Sequence, residues 1–271
     1  ALTADLSVSD EDIQAAFDAK VEADKEQYAD SVFMYEYMTA YYSEEPYYRP
    51  DGYRGVLHIL LIPDEEVLTA YKELAAEYEE QAEALEGETD PQAESAGTEP
   101  AEPAEEEPKV TWEQVEAAKQ AVIASVQPKI DEIKAALDAE TPFLDLVDQY
   151  GEDPGMQDAQ TRENGYQVHP DSVMYDPAFV QGAFSVEHVG DVSEPVVGSY
   201  GVHLIYYLKD IAGGAVELTD AIRATLRDSL EGEMKDARYE EVRSQWMAEA
   251  DIVWTEAGEE WRPALTEEDD E

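Results

Sequence analysis

The sequence contains no cysteine and few basic residues. Its 271 residues include no Cys, four His and 17 Lys plus Arg against 66 Asp plus Glu, which gives a formal net charge of -49. The absence of cysteine excludes disulfide bonds and thiolate zinc sites. The negative charge repels phosphate backbones and anionic lipid surfaces, so nucleic acid is a poor candidate partner.

Long apolar runs are also absent. A membrane-spanning helix needs roughly 20 consecutive apolar residues, and we expect no transmembrane segment in this chain. The opening residues ALTADLSVSD have neither a basic start nor a hydrophobic run, so no signal peptide is visible. The absence of cysteine together with high acidity suits an exported protein, but it also fits a salt-adapted cytoplasmic one. Composition alone therefore leaves the compartment open.

Two segments near the ends of the chain have helical periodicity. The first covers residues 10–42, with Ser9 as the expected N-cap, and has apolar residues four apart: Ile13, Phe17 and Val21. The second begins near Leu218 and has a similar stripe: Ile222, Leu226, Leu230 and Met234. An amphipathic helix needs a partner surface. We therefore predict that the two terminal helices pack together as one module.

An acidic stretch interrupts the chain between Lys72 and Lys109, where no basic residue occurs and Glu, Pro, Ala and Gly accumulate. Such a composition buries too little apolar surface to offset its ordering entropy. We therefore predict that residues 82–109 form a disordered acidic insert. A calcium site is disfavoured because no D-x-D-x-D-G pattern is present. Order should resume at Val110, since Thr111 and Gln114 have the spacing of a capping box.

Two of the four histidines lie inside apolar strands. His58 belongs to YRGVLHILLI, residues 53–62, and His203 belongs to SYGVHLIYY, residues 199–207. The alternation of a strand places Val202, Leu204 and Tyr206 on one face and His203, Ile205 and Tyr207 on the other. A lone histidine in a strand is more often a hydrogen-bonded core residue than a catalyst. A metal site is an alternative, with His58, His169, His203 and Asp153 as ligands, although no compact spacing such as H-E-x-x-H supports it.

The order of the elements resembles that of the parvulin-type peptidyl-prolyl isomerases. The strand His58-Ile59-Leu60-Leu61 is similar to the HIL(V/I) strand that opens this family. The family pattern F..LA..YS.D is similar to Phe143, Leu146, Val147, Tyr150 and Asp153. The pattern F..A.F.L..G..S.PV...GYH.I is similar, in the same order, to Phe179, Gly182, Phe184, Val186, Gly190, Ser193, Pro195, Val196, Gly201, His203 and Ile205. The terminal helical segments resemble those that frame the parvulin domain in exported PrsA- and SurA-type foldases.

This resemblance implies an α+β fold. A parvulin-like domain, a small antiparallel sheet surrounded by helices, would be inserted between N- and C-terminal helices that form an all-α chaperone-like module. The expected domains are an N-terminal helical segment at 1–50, the isomerase domain at 51–214 and a C-terminal helical segment with an acidic tail at 215–271. The implied function is peptidyl-prolyl cis-trans isomerisation that assists the folding of exported proteins. The alternative is a non-catalytic parvulin-like chaperone that binds unfolded chains.

The resemblance also implies the site residues. His58, Asp153 and His203 fall on catalytic positions, and the substrate-binding positions fall on Met174, Tyr175, Phe179 and Phe184. The family's pocket methionine falls on Tyr175, with Met174 adjacent, and a hydroxyl-bearing residue of the family falls on Gly198. ENGYQVHP stands in the place of the family's GGDLG.F element, and Gly165 is the one residue in it that corresponds to the family pattern.

The remaining expectations also follow from the resemblance. No cofactor and no metal are expected. The expected partners are unfolded or proline-containing polypeptides, and the expected location is extracytoplasmic, in the cell envelope or secreted. A cleaved lipid anchor is compatible with this family.

Overall fold

The computed structural model describes residues 2–42, 45–87, 110–250, 253 and 255–259, and the chain folds into two compact units. One unit takes its described residues from 1–21 and 217–271, and the other takes them from 22–216. Helices and antiparallel strands are both present, so the predicted α+β class is confirmed. Residues 22–50 belong to the same unit as the sheet. The domain limits expected at residues 50 and 214 stay predictions.

The elements are numbered in chain order. The helices are α1 (Asp10–Tyr28), α2 (Val32–Tyr42), α3 (Glu65–Gly87), α4 (Trp112–Asp138), α5 (Phe143–Tyr150), α6 (Ala159–Asn164), α7 (Pro177–Ala183), α8 (Asp220–Glu249) and α9 (Glu256–Glu259), with a 3-10 helix at Pro154–Gln157. The strands are β1 (Tyr48–Arg49), β2 (Arg54–Leu61), β3 (Tyr166–Val168), β4 (Val196–Gly198), β5 (Gly201–Asp210) and β6 (Gly214–Ala215). No helix within the described ranges combines the length and the apolar character needed to cross a bilayer.

The N-terminal helical segment consists of two helices, so the expected single helix over residues 10–42 is wrong. Ser9 begins α1 as predicted, because its hydroxyl accepts a hydrogen bond from the backbone N–H of Asp12 at 3.1 Å. The first helix ends at Tyr28. Ser31 then acts as a new N-cap, since its hydroxyl accepts a hydrogen bond from the N–H of Met34 at 3.2 Å. This cap explains why the backbone restarts a helix at residue 32.

The two ends of the chain meet in one helical unit. Ile13 of α1 and Leu226 of α8 are both buried, at 0% and 2% exposure. Arg227 forms an ion pair with Asp10 at 3.4 Å at the surface of this unit. The prediction that the terminal helices share an all-α module is confirmed for the described residues. Apolar burial stabilises this module more than the exposed ion pair does, because exposed pairs contribute about 0–1 kcal/mol.

The four-stranded antiparallel sheet has the order β3-β2-β5-β4 and is covered on both faces. One face packs against α4 and α5 in a cluster that includes Leu57, Ile59, Leu61, Val202, Leu204, Val122, Ile130 and Leu146. The other face packs against α7 in a cluster of Val56, Val168, Ile205, Phe179, Val180 and Ala183. The alternation predicted for β5 is therefore confirmed. The face that carries α7 also carries both strand histidines.

Helices α3 and α4 pack against each other, and the prediction of a disordered insert over 82–109 is wrong at its start. Helix α3 continues to Gly87, so residues 82–87 are helical. The sequence EEQAEALE, residues 79–86, consists of strong helix formers, and these residues favour continuation of the helix. The rings of Tyr78 and Trp112 lie 5.9 Å apart between centroids, so the second half of α3 lies beside the start of α4. The remaining residues of the predicted insert, 88–109, lie outside the described residues.

The start of α4 agrees with its sequence signal. The side chain of Gln114 accepts a hydrogen bond from the backbone N–H of Thr111 at 2.9 Å, as the capping-box spacing predicted. Four turns further on, Ile130 is fully buried against the sheet. The cap and the buried stripe together orient α4 across the sheet face opposite the histidines.

Ile130→Ala should lower the free energy of unfolding of the sheet-containing unit by about 2–5 kcal/mol, because it leaves a cavity between α4 and the sheet. Urea denaturation followed by circular dichroism measures this loss. Gln120→Ala, at an exposed position of the same helix, should change stability by less than about 0.5 kcal/mol. Equal stability of the two variants would contradict the packing described for α4.

Candidate functional site

Two buried imidazoles stack across the central strand pair. His58 lies on β2 and His203 lies on β5, where His58 is opposite Ile205 and His203 is opposite Leu60 in the antiparallel register. The ring centroids lie 5.1 Å apart with an interplanar angle of 25°, and the two Nδ1 atoms are 3.0 Å apart. The residues are 5% and 4% exposed. The fold thus pairs two histidines that are 145 residues apart in sequence.

Asp153 anchors the pair from the segment that follows α5. Its Oδ2 lies 2.8 Å from Nε2 of His58 and accepts a hydrogen bond from the hydroxyl of Tyr166, also at 2.8 Å. Its Oδ1 accepts the backbone N–H of Gly155 at 3.0 Å. Hydrogen bonding from His58, helped by Tyr166 and Gly155, outweighs burial and lowers the pKa of Asp153 to about 2. Asp153 is therefore a carboxylate at neutral pH and orients the His58 ring.

The contact between the two imidazoles involves their Nδ1 atoms. Burial, followed by the neighbouring His58, lowers the pKa of His203 to about 4, so His203 is neutral at neutral pH. The two Nδ1 atoms are close enough for one hydrogen bond between the rings, whose direction depends on the tautomers. Nε2 of His203 takes no part in this contact. This buried atom has no hydrogen-bond partner among the described residues.

The unpaired Nε2 faces Gly198 on β4. A Cβ placed on Gly198 would lie 3.2 Å from Nε2 of His203 and 3.1 Å from Oδ2 of Asp176. The parvulin resemblance puts a hydroxyl-bearing residue at this position, and glycine offers no such donor. Burial raises the pKa of Asp176, but hydrogen bonds from Ser199 and Ala178 outweigh it and lower the pKa overall. A carboxylate oxygen and the unpaired imidazole nitrogen therefore lie on either side of the space that a side chain at residue 198 would occupy.

A cavity of about 540 Å³ opens beside the imidazoles. Phe179 of α7 forms its apolar base, with ring centroids 5.2 Å from His58 and 5.4 Å from His203. Tyr175 packs on Phe179 at 5.9 Å. The cavity is lined by His58, Leu60, Ile62, Glu152, Asp153, Pro154, Tyr166, Met174, Tyr175, Asp176, Phe179, Tyr200 and His203. An apolar base with a few converging polar groups is the usual form of a ligand pocket.

Six of the seven site residues expected from the sequence lie together in this cavity: His58, Asp153, Met174, Tyr175, Phe179 and His203. Phe184 lies elsewhere in the described part of the unit. Its half-buried ring packs under the guanidinium of Arg54, whose Cζ is 4.1 Å from the ring centroid. The same guanidinium donates to the carbonyl of Ala183 at 2.9 Å. Phe184 thus packs beside the end of α7 and Arg54, the first residue of β2, and it does not line the cavity.

Tyr166 is a site residue that sequence reasoning missed. It donates to Asp153, and its ring meets His58 edge-on with centroids 5.5 Å apart. Burial, followed by the hydrogen bond to Asp153, raises the pKa of the Tyr166 hydroxyl above its usual range, so it remains a donor. The sequence signal that precedes Tyr166 is Gly165, which has a φ of +74°, a backbone conformation that favours glycine. A Cβ there would lie 2.6 Å from the backbone nitrogen of Val56, so Gly165 lets β3 approach β2 and brings Tyr166 to the site.

The third histidine considered for a metal site, His169, lies apart from the other two. Nε2 of His169 is 3.0 Å from the carbonyl oxygen of Asp51, and its Nδ1 accepts the N–H of Asp171 at 3.0 Å. Within the ranges that the structure describes, no three His, Asp or Glu side chains are arranged to hold a metal ion. His58 bonds to Asp153 and to His203, and Asp153 also accepts from Tyr166 and Gly155, so their polar atoms are used within the site.

Comparison with known proteins gives the site a family context. Residues 109–209 match the family model described as Rotamase: PPIC-type PPIASE domain. "Foldase protein PrsA 2" of Listeria innocua is 34% identical over 85 residues, which is 31% of this chain and 28% of that protein. "Foldase protein PrsA" of Halalkalibacterium halodurans is 30% identical over 131 residues, which is 48% of this chain and 36% of that protein. The chain thus spans about a third of the length of these curated relatives.

Solved structures of PrsA show lower similarity. PrsA from Bacillus subtilis matches with 17% identity and a TM-score of 0.31, covering 94% of this chain and 81% of that one. The matched family segment begins after β2, although β2 is hydrogen-bonded to β5 at the centre of the sheet and carries His58. The recognition made from the motifs is confirmed: residues 109–209 match the PPIC-type, or parvulin, peptidyl-prolyl isomerase domain, and the chain is similar to PrsA foldases.

Proposed function

We propose that the protein is a peptidyl-prolyl cis-trans isomerase that assists the folding of exported proteins. One observation carries this proposal: Phe179 packs against a stacked imidazole pair at the base of a 540 Å³ cavity. The PPIC-type family match over residues 109–209 supports it. The substrates would be polypeptides that contain X-Pro bonds.

The geometry suits a reaction in which no covalent bond breaks. Rotation about the tertiary amide has a barrier of about 20 kcal/mol because the planar form is stabilised by resonance. A pocket accelerates rotation if it binds the twisted amide better than either planar form. We assign contact with the proline ring to Phe179, Tyr175 and Met174. The imidazoles of His58 and His203 would support the Phe179 ring from behind.

A second candidate function is a non-catalytic chaperone that binds unfolded chains. The observation in its favour is the buried Nε2 of His203, which faces Gly198 where the family has a hydroxyl. A pocket with an incomplete hydrogen-bond network could bind proline without favouring the twisted amide. Exchange spectroscopy on an X-Pro peptide, with and without the protein, separates the two functions. Binding without faster exchange would support the chaperone.

We also propose that the protein acts outside the cytoplasm, in the cell envelope or as a secreted protein. The support is the similarity to PrsA foldases together with the absence of cysteine and the net charge of -49. A cleaved lipid anchor belongs to this proposal. Fractionation of cells that produce the full-length precursor, followed by immunoblotting, tests it.

Phe179→Ala should lower the isomerisation rate of an X-Pro peptide by at least about 30-fold, since the lost ring contact corresponds to about 2–4 kcal/mol. The rate is measured by NMR exchange spectroscopy. Val180→Ala is the matched control, because Val180 is buried on the same helix at 7% exposure but does not line the cavity. If Phe179→Ala catalyses as fast as the parent protein, the pocket assignment is wrong.

Acid should destabilise the folded protein through His203. The unfolded chain binds a proton at this residue below its ordinary pKa of 6.5, whereas burial delays protonation in the folded state until about pH 4. The stability due to the neutral ring is therefore complete above pH 6.5 and is lost as the pH falls toward 4. At about 1.4 kcal/mol per pKa unit, the loss amounts to about 3 kcal/mol.

Thermal unfolding of the parent protein and of His203→Gln between pH 7 and pH 4 measures this effect. The parent should lose more stability than the variant over this range, because only the parent carries the titrating ring. His188→Gln is the control, since the side chain of His188 is 79% exposed. Parallel curves for the parent and His203→Gln would show that His203 titrates normally.

A further inference from the structure

A buried carboxylate outside the catalytic cluster points to a further role for α2. Glu36 of this helix is 7% exposed, and the described residues that are polar and buried to this degree are Glu36, His58, Ser193 and His203. Glu36 accepts hydrogen bonds from the hydroxyls of Tyr53, at 3.2 Å, and Ser172, and from the backbone N–H of Val173 at 3.1 Å. These donors are all uncharged. Burying a carboxylate is unfavourable unless several donors compensate it, so this position is specific for an acceptor.

The donors connect Glu36 to the segment 169–176, which joins β3 to α7. Ser172 and Val173 directly precede Met174 and Tyr175, which line the cavity beside the imidazoles. The segment has no regular secondary structure along most of its length. At its start a turn forms in which the N–H of Ser172 bonds to the carbonyl of His169 at 3.0 Å. Glu36 therefore holds the middle of a loop whose next two residues form the pocket wall.

The electrostatics of the wall agree with this contact. Burial, followed by the charge of Glu36, raises the pKa of Tyr175 to about 12. Tyr175 in turn packs against Phe179 and Tyr166, with centroids 5.9 and 6.1 Å away. A second cavity, of about 600 Å³, lies on the other side of this wall and shares Met174, Tyr175 and Tyr166 with the first. Because cavities lie on both sides of Met174 and Tyr175, the position of these residues depends on the hydrogen bonds of Glu36 to Ser172 and Val173.

We propose that Glu36 is a positioning residue for substrate binding, which fixes the 172–173 backbone so that Met174 and Tyr175 are preorganised around the proline ring. This inference rests on the proposed function. Helix α2 precedes the first strand of the sheet and lies outside the family match at 109–209. The isomerase pocket is therefore completed by a helix from outside the matched segment. Preorganisation of this kind improves binding because less freedom is lost when the substrate binds.

Three variants of the full chain test the proposal. Glu36→Ala removes the acceptor and leaves the N–H of Val173 unpaired. Glu36→Gln should rescue, because its amide oxygen can accept from Val173 while its NH₂ group donates to the hydroxyls of Tyr53 and Ser172. Thr39→Ala is the control on the same helix, since Thr39 is exposed and its hydroxyl bonds to the carbonyl of Tyr35 within α2.

The first readout is the KM and kcat of X-Pro peptide isomerisation, with thermal unfolding alongside. Glu36→Ala should raise KM about fivefold or more, with kcat changed less than about twofold, because the loop loses order rather than a group that contacts the rotating bond. Glu36→Gln and Thr39→Ala should keep the parental KM. An unchanged KM in Glu36→Ala overturns the proposal, and so does an equal rise in Glu36→Ala and Thr39→Ala.

The second readout does not depend on catalysis. The sequence has six methionines, and ¹³C-methyl labelling with Met174→Leu for assignment isolates the signal of Met174. In Glu36→Ala this signal should shift or broaden without peptide, whereas Glu36→Gln should leave it in place. If the parent fails to accelerate exchange, the isomerase function is wrong while the methyl signal still tests the role of Glu36. If Glu36→Ala is poorly folded, Ser172→Ala, which removes one donor from the loop side, should shift the same signal, and an unmoved signal overturns the proposal.

Discussion

The stacked pair of His58 and His203 is the interaction around which the site is built. The two rings meet only if β2 and β5 keep their register, because a shift of one residue would turn each side chain to the opposite face of the sheet. On that opposite face the α4 and α5 cluster would then have to accept an imidazole in place of an apolar side chain. Core packing on one face therefore enforces the geometry of the site on the other.

The buried polar groups near the cavity are stabilised as connected pairs. Asp153 orients His58, the Nδ1 atoms of His58 and His203 contact each other, and Tyr166 donates to Asp153. In a medium of low dielectric constant such a network is rigid when each member has a partner. Nε2 of His203 is the described exception, beside Gly198. Gly198 is a position at which this chain departs from the parvulin pattern. The unpaired atom beside it therefore bears on whether the protein is a catalyst or a chaperone.

Helices outside the matched family segment add to the domain, and the strand order at the centre of its sheet is kept. Helix α3 and the residues up to α4 separate β2 from the segment that matches the family model, yet β2 still lies between β3 and β5 in the sheet. Loop-closure entropy grows slowly with length, so a long connection between β2 and α4 costs little once both pack on the same core. On the other side of the sheet, α2 contacts the pocket wall through Glu36. The functional unit is thus larger than the matched segment.

The sequence by itself determined the features that depend on local chemistry. Alternation in β5 predicted its two faces, the Thr111 and Gln114 pair predicted the start of α4, and ordered motifs predicted six of the residues that line the cavity. The helix break at Ser31 and the extension of α3 to Gly87 also have local causes, an N-cap serine and a run of strong helix formers, although the sequence analysis missed them. Only the tertiary structure decided the placement of Phe184 against Arg54.

Tertiary structure also decided the roles of Tyr166 and Glu36. Tyr166 reaches Asp153 because β3 pairs with β2, and Glu36 reaches Ser172 across 136 residues of chain. Neither residue belongs to a periodic stripe or to a motif that specifies its partner. Local propensity and periodicity describe the next few residues of a chain, whereas a buried hydrogen bond between distant residues exists only once packing has brought both groups out of water.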